Sequence, residues 1–177
     1  MKKKLDTPPN GDAVDNVPER TVQSDQENVY VSYDKLSRRD LRSIIFHLLY
    51  AAEAYDHEVT LETIIDNFNR GYDLDIPLKS EAGIVTQAII DSREKLDEAI
   101  RPLLINWRFE RIGLCTKLVL RLAVWELLNT KEPHSVVINE AIELAKCFSE
   151  IDAYKFVNGI LDEAVKFLRP ENQETTT

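Results

Sequence analysis

"LCTKLVLRLAVWELLN", residues 114–129, decides the fold. At helical spacing, Leu114, Leu118, Val119, Leu122 and Trp125 form one stripe, and Leu120, Val124 and Leu127 fill the adjoining faces. A helix that is apolar nearly all round must be covered on several sides, so it belongs in the middle of a helical bundle. The composition agrees. Only 5 Gly and 7 Pro interrupt 177 residues, and 44% of the chain is apolar, enough for one ordinary domain with a real core.

Upstream of this segment the apolar spacing is helical as well. Leu41, Ile44, Ile45, Leu48, Leu49 and Ala52 line one face of a first helix, with Ser37 as its cap and Asp40 completing a capping box. Leu61, Ile64, Ile65 and Phe68 give a second helix, capped by Thr60 and stopped by Gly71. A third, long helix is expected from about Ser80 to Leu104, with Val85, Ile89, Ser92, Leu96, Ala99 and Leu103 inward and Pro102 bending or ending it. "NWRFERIG", residues 106–113, reads as a break or a short helix.

Downstream, "PHSVVINEAIELAKCF" predicts a helix after Pro133 with Ser135 as cap. "DAYKFVNGILDEAVKFL" predicts a last helix, with Asp152 as cap and Phe156, Ile160, Leu161, Ala164 and Leu168 inward. A glycine inside a helix costs about 1 kcal/mol relative to alanine, so Gly159 is expected to permit close approach of another helix. The connectors are short and no strand alternation is present. The expected fold class is all-α, with about seven helices.

Residues 1–36 are polar, hold Pro8, Pro9, Gly11 and Pro18, and have few large apolar side chains. Such a segment cannot offset its ordering entropy and is expected to be a flexible arm. The domain is expected over 37–170, with a disordered tail over 171–177. The formal net charge is −9, and the arm, with five basic and seven acidic residues, contributes only −2 of it. The body is therefore acidic, which argues against nucleic-acid binding unless a local patch is basic. No apolar run reaches the roughly 18 residues of a membrane span, and no apolar stretch follows Lys2, Lys3 and Lys4 to make a secretory signal, so a cytoplasmic protein is the expectation. Cys115 and Cys147 lack paired spacing and read as buried, reduced thiols.

Arg38, Arg39 and Arg42 supply a candidate patch. They crowd the start of a helix, where partial positive charge disfavours cations by about 0.3–1 kcal/mol each. On a helical wheel they share an arc of roughly 120° with Phe46 and Tyr50, beside the apolar stripe. Guanidiniums bridge phosphates and aromatic faces stack on unpaired bases, so this arc suits single-stranded nucleic acid. The competing reading is a solvated charged edge, with the two rings packed against a neighbouring helix.

"VVINEAIELAKCFSEIDAYKFVNGILDEAVKFL", residues 136–168, closely resembles the C-terminal signature of the NusB transcription antitermination family. "RRDLRSIIFHLLYAAE" resembles that family's opening helix, and "LVLRLAVWELL" its central one, in matching order from about Ser37 to Arg169. The resemblance implies two small helical bundles packed together. It further implies binding of the boxA element of nascent ribosomal RNA, jointly with the ribosomal protein NusE, in a complex that carries RNA polymerase past termination signals.

By position, the RNA contacts it implies are Arg38, Arg39, Arg42 and Tyr50 from the first helix. From the loop before the last helix and that helix itself come Phe148, Asp152, Lys155 and Phe156. Core packing for the two phenylalanines and simple capping for Asp152 stay open beside those roles. Asn139 and Glu140 are expected to tie helices together rather than to meet RNA. Monomer and homodimer both stay open. The family's frequent glutamine is His47 here, Asp40 and Leu41 interrupt a run that is often more basic, and the arm is longer than usual.

Two rivals follow from the same residues. An enzyme would need a nucleotide loop, a metal-ligand motif or a cysteine cluster, and none is written in the sequence, so no catalytic residue, metal or cofactor is expected. Certain rRNA cytosine methyltransferases begin with a similar helical domain, but they add a nucleotide-binding domain that this sequence lacks. A helical protein–protein adaptor that does not touch RNA would suit the acidic body, since ribosomal partners are often basic.

Overall fold

The computed structural model describes residues 32–168. The expected tail over 171–177 and most of the expected arm lie outside the described residues. The body starts earlier than Ser37. Tyr33–Lys35 form a 3-10 turn, and the Tyr33 hydroxyl accepts a hydrogen bond from the Ala82 N–H at 3.1 Å.

Seven α-helices follow: α1 Arg38–Ala54, α2 Leu61–Tyr72, α3 Glu81–Asp91, α4 Arg93–Ile100, α5 Leu114–Asn129, α6 His134–Phe148 and α7 Ala153–Leu168. Local signals set most of the starts. The Ser37 hydroxyl accepts from the Asp40 N–H at 3.1 Å while the Asp40 carboxylate accepts from the Ser37 N–H at 3.0 Å, the expected capping box. The Ser37 hydroxyl, donating to the Asp40 carboxylate at 2.6 Å, and the Ser37 N–H hold the Asp40 carboxyl below the usual carboxylate range. Thr60 caps α2 through the Thr63 N–H, and Ser80 caps α3 through the Gly83 N–H.

Several boundaries move. Gly71 does not stop α2, which runs to Tyr72 and ends on Asp73 in the left-handed region (φ 52). The expected long third helix is broken at Ser92, whose hydroxyl donates to the Ala88 carbonyl at 2.5 Å while its backbone leaves helical geometry. Serine inside a helix competes for backbone carbonyls in this way. Pro102 then converts the end of α4 to a 3-10 turn over Arg101–Leu103, and "FER", within the expected break, forms another over Phe109–Arg111. Ser135 lies inside α6, which starts at His134 directly after Pro133. A Cβ placed on Gly159 meets nothing, so that glycine admits no neighbouring helix.

The helices form two groups. α1, α2 and α3 pack on one another, α5, α6 and α7 pack on one another with α4 against α5, and α5 also lies against α1 and α3. Leu118, Val119, Leu120, Leu122, Val124 and Leu127 of α5 are all essentially inaccessible, as an all-round apolar helix requires. Each such leucine stabilises the fold by roughly 1.5–3 kcal/mol relative to exposure. One polar joint crosses the middle. Arg121 of α5 donates to Asp97 of α4 at 2.7 and 2.9 Å and to Glu53 of α1 at 2.5 Å, so one buried guanidinium pins the second group to the first. No helix among the described residues is long and apolar enough to cross a membrane. Cys115 is half-buried, but Cys147 is exposed, contrary to the expected burial.

Candidate nucleic-acid interface

The opening arginines do not form the open basic ridge that the helical wheel suggests. Each reaches a carboxylate outside α1. Arg38 pairs with Glu81 at 2.5 Å and with Glu132 at 3.0 Å. Arg39 grips Glu140 with two bonds of 3.0 and 2.8 Å, and this holds the Glu140 carboxyl below the usual range. Arg42 departs furthest from the expectation. Its side chain is 7% exposed, and its Nε donates to both oxygens of Glu126 on α5. Burial pushes the Glu126 carboxyl up, against the opposing pull of Arg42. The reason is the position of α1, whose first turns face α3, α5 and α6 and their acidic side chains. Charge-assisted bonds of this kind offset the unfavourable helix-end field.

Arg38 and Arg39 keep an outward aspect, with side chains 60% and 63% exposed. Tyr50 is exposed too, whereas Phe46 is buried. Phe46 stacks on Phe148 of α6 with ring centroids 4.6 Å apart and planes at 16°, and His47 meets Phe148 edge-on at 4.9 Å. Phe148 is half-buried in these ring contacts, an arrangement that fits the packing role left open for it beside RNA contact. With Arg39–Glu140 and Phe46–Phe148, two side-chain bridges tie α1 to α6.

The remaining candidates gather elsewhere. Asp152, Lys155 and Phe156 line a cleft of about 540 Å³ together with Trp107, Arg111, Ile112, Gly113, Thr116, Glu150 and Ile151. Two residues near it are left-handed, Asp152 (φ 66) in its lining and Asn106 (φ 63) directly before Trp107. Asn and Asp tolerate that region best among residues with side chains. In this position Asp152 pairs with the Lys155 ammonium at 2.9 Å. Trp107 and Phe156 face one another with centroids 5.2 Å apart and planes at 57°. Ile151 at the rim is 97% exposed. Arg111 and Lys155 are the cations of the cleft, and Glu150 and Asp152 its anions. Exposed aromatic faces beside cations are the chemistry of stacking on unpaired bases.

A sequence model described as the NusB family matches residues 39–166. The chain belongs to the NusB family. It is 34% identical over 135 residues to the transcription antitermination protein NusB of Macrococcus caseolyticus, a match covering 74% of this chain and 98% of that protein. It is 36% identical over 126 residues to the NusB protein of Staphylococcus haemolyticus, covering 71% of this chain and 97% of that one. Among solved structures, NusB of T. maritima superposes with a TM-score of 0.64 at 34% identity, covering 74% of this chain and 92% of the other. A chain in a structure described as "Crystal Structure of a Plectonemic RNA Supercoil" superposes with a TM-score of 0.65 at 25% identity, covering 76% and 98%. The transcription antitermination family and the all-α fold expected from the sequence both hold.

Of the eight residues that the NusB resemblance carried over, the structure brings Asp152, Lys155 and Phe156 into one cleft. It leaves Arg38, Arg39 and Tyr50 exposed on α1 and turns Arg42 and Phe148 inward. Sequence reasoning missed Trp107, Arg111, Ile151 and Glu150. A signal was available. "NWRFER" puts Trp107 and Arg111 in a stretch without helical periodicity, where a core tryptophan would be out of place. Among the described residues no His, Cys, Asp and Glu side chains gather into a group able to hold a metal ion.

Proposed function

We propose that the chain is a transcription antitermination factor that binds boxA-type single-stranded RNA of nascent ribosomal transcripts. It does so with a NusE-type ribosomal protein and promotes read-through by RNA polymerase. The observation that carries this reading is the Trp107–Phe156 aromatic pair, flanked by Arg111 and Lys155, in one cleft of a NusB-family fold. The cleft receives unstacked bases on its two rings. Lys155, on exchanging Asp152 for a phosphate, fixes the backbone. Arg38, Arg39 and Tyr50 extend the path along α1, where the two guanidiniums exchange glutamates for phosphates at the surface. The RNA-containing neighbour among solved structures adds support. The net charge of −9 makes RNA binding weak for the chain alone and gives a basic ribosomal partner a favourable surface.

The test is a titration of labelled boxA-type RNA, alone and with the NusE-type protein. Weak binding that strengthens several-fold with the partner supports the proposal. Partner binding with no RNA binding in either arm overturns it in favour of the adaptor.

A further inference from the structure

Glu150 stands where an exposed loop residue has no obvious reason to be held. It lies two residues after the end of α6, yet its carboxylate rests on the start of α5. Thr116, a buried residue of the first turn of α5, donates its hydroxyl to the Glu150 carboxylate at 2.8 Å. Gly113, directly before α5, is covered so closely that a Cβ there would run into the same carboxylate. Gly113 gives α5 no side-chain cap of its own. Glu150 therefore supplies from the loop the anion that the start of a helix favours. The Glu150 backbone turns at the same point, and its carbonyl accepts the Ala153 N–H at 3.0 Å at the start of α7. Its charge is felt locally, since the half-buried Cys115 thiol is pushed up by burial and, in addition, by Glu150.

We infer that Glu150 is a positioning residue. Anchored to Thr116 and seated over Gly113, it fixes the 149–153 loop so that Ile151, Asp152, Lys155 and Phe156 face Trp107 across the cleft. This inference rests on the reading of that cleft as an RNA site. It also opposes what charge alone predicts. A carboxylate beside an RNA site repels phosphates, so plain electrostatics has RNA binding tighten when Glu150 is removed. Positioning has it weaken.

The experiment compares the full chain with Glu150→Ala, Glu150→Gln, Gly113→Ala and the double variant Gly113→Ala/Glu150→Ala. Each is titrated with labelled single-stranded boxA-type RNA, and amide hydrogen exchange is followed over residues 113–117 and 150–155. Glu150→Gln keeps an oxygen for the Thr116 hydroxyl and binds within about twofold of the parent. Glu150→Ala and Gly113→Ala each weaken binding about fivefold, and the double variant is no weaker than Glu150→Ala, because both changes remove one contact. Exchange quickens in the two segments while thermal midpoints barely move. Tighter RNA binding by Glu150→Ala, additive losses in the double variant, or unchanged loop exchange would each overturn the inference and leave the RNA reading standing. A parent chain that binds no RNA either alone or with the NusE-type protein, with loop exchange still responding to Glu150→Ala, would overturn the RNA reading itself and with it the positioning role.

Discussion

Arg42 and Glu126 form a nearly buried ion pair, with Nε 2.9 and 3.1 Å from the two carboxylate oxygens. The pair joins the opening helix to the central one, and it accounts for one of three cations placed where the helix field disfavours them. The same holds more weakly for Arg38 and Arg39, which bind carboxylates at the surface. The arginine cluster of α1 is in the first place a set of ties to its neighbours.

Breaking the buried pair from one side leaves an uncompensated charge in the interior. Arg42→Ala should lower the unfolding free energy by about 3–5 kcal/mol, read from urea unfolding followed by circular dichroism. Replacing both partners with apolar side chains of similar volume should cost far less than the single change.

Surface pairs behave differently. Arg39→Ala removes a pair whose arginine is largely in water, and the loss should stay below about 1 kcal/mol and shrink with added salt. A loss as large as that of Arg42→Ala would show that the two pairs are not distinguished by burial.

The carboxyl shifts give a pH dependence with a definite sign. Asp40 and Glu140 are held below the usual range, so the folded state binds fewer protons there than the unfolded chain does. Their contribution is full above the unfolded carboxylate range and is lost as pH falls through the lowered values. Glu126 is raised by burial and works in the opposite direction, weakening the fold as pH rises through its raised value. Glu140→Gln should therefore be less stable than the parent near neutral pH, with the difference shrinking as pH falls below the usual carboxylate range, as urea midpoints measured across that range will report.

Gly159 is exposed, lies within α7 and has open space where a Cβ would stand. Gly159→Ala should raise stability by about 1 kcal/mol, visible as a higher thermal midpoint.

Much of this architecture is legible in the sequence, for physical reasons. The all-round apolar pattern of residues 114–129 has one stable solution, burial among other helices, and Ser37 with Asp40 announces a helix start without help from the rest of the chain. What escaped depends on contacts between distant segments. A helical wheel places Arg42 outward because it knows nothing of Glu126, 84 residues away. Ser92 breaks a helix whose apolar spacing runs straight through it. Trp107 is far from Phe156 in sequence, and only folding of α5 to α7 brings the rings together. The carried-over motif marks Asp152, Lys155 and Phe156, but the opposite wall of the cleft lies in a stretch with no periodicity to read.

The cleft is the centre of the functional account, and its cations test it most directly. The salt dependence of boxA-type RNA affinity should be measured for the parent chain, for Arg111→Gln/Lys155→Gln and for Arg38→Gln/Arg39→Gln. If the cleft is the primary RNA site, the first double variant weakens binding at least tenfold and lowers the salt slope by about 1.4, the value for two single-strand phosphate contacts, and the second has the smaller effect. Parent-like affinity and slope in Arg111→Gln/Lys155→Gln, with its helicity intact, would contradict the account.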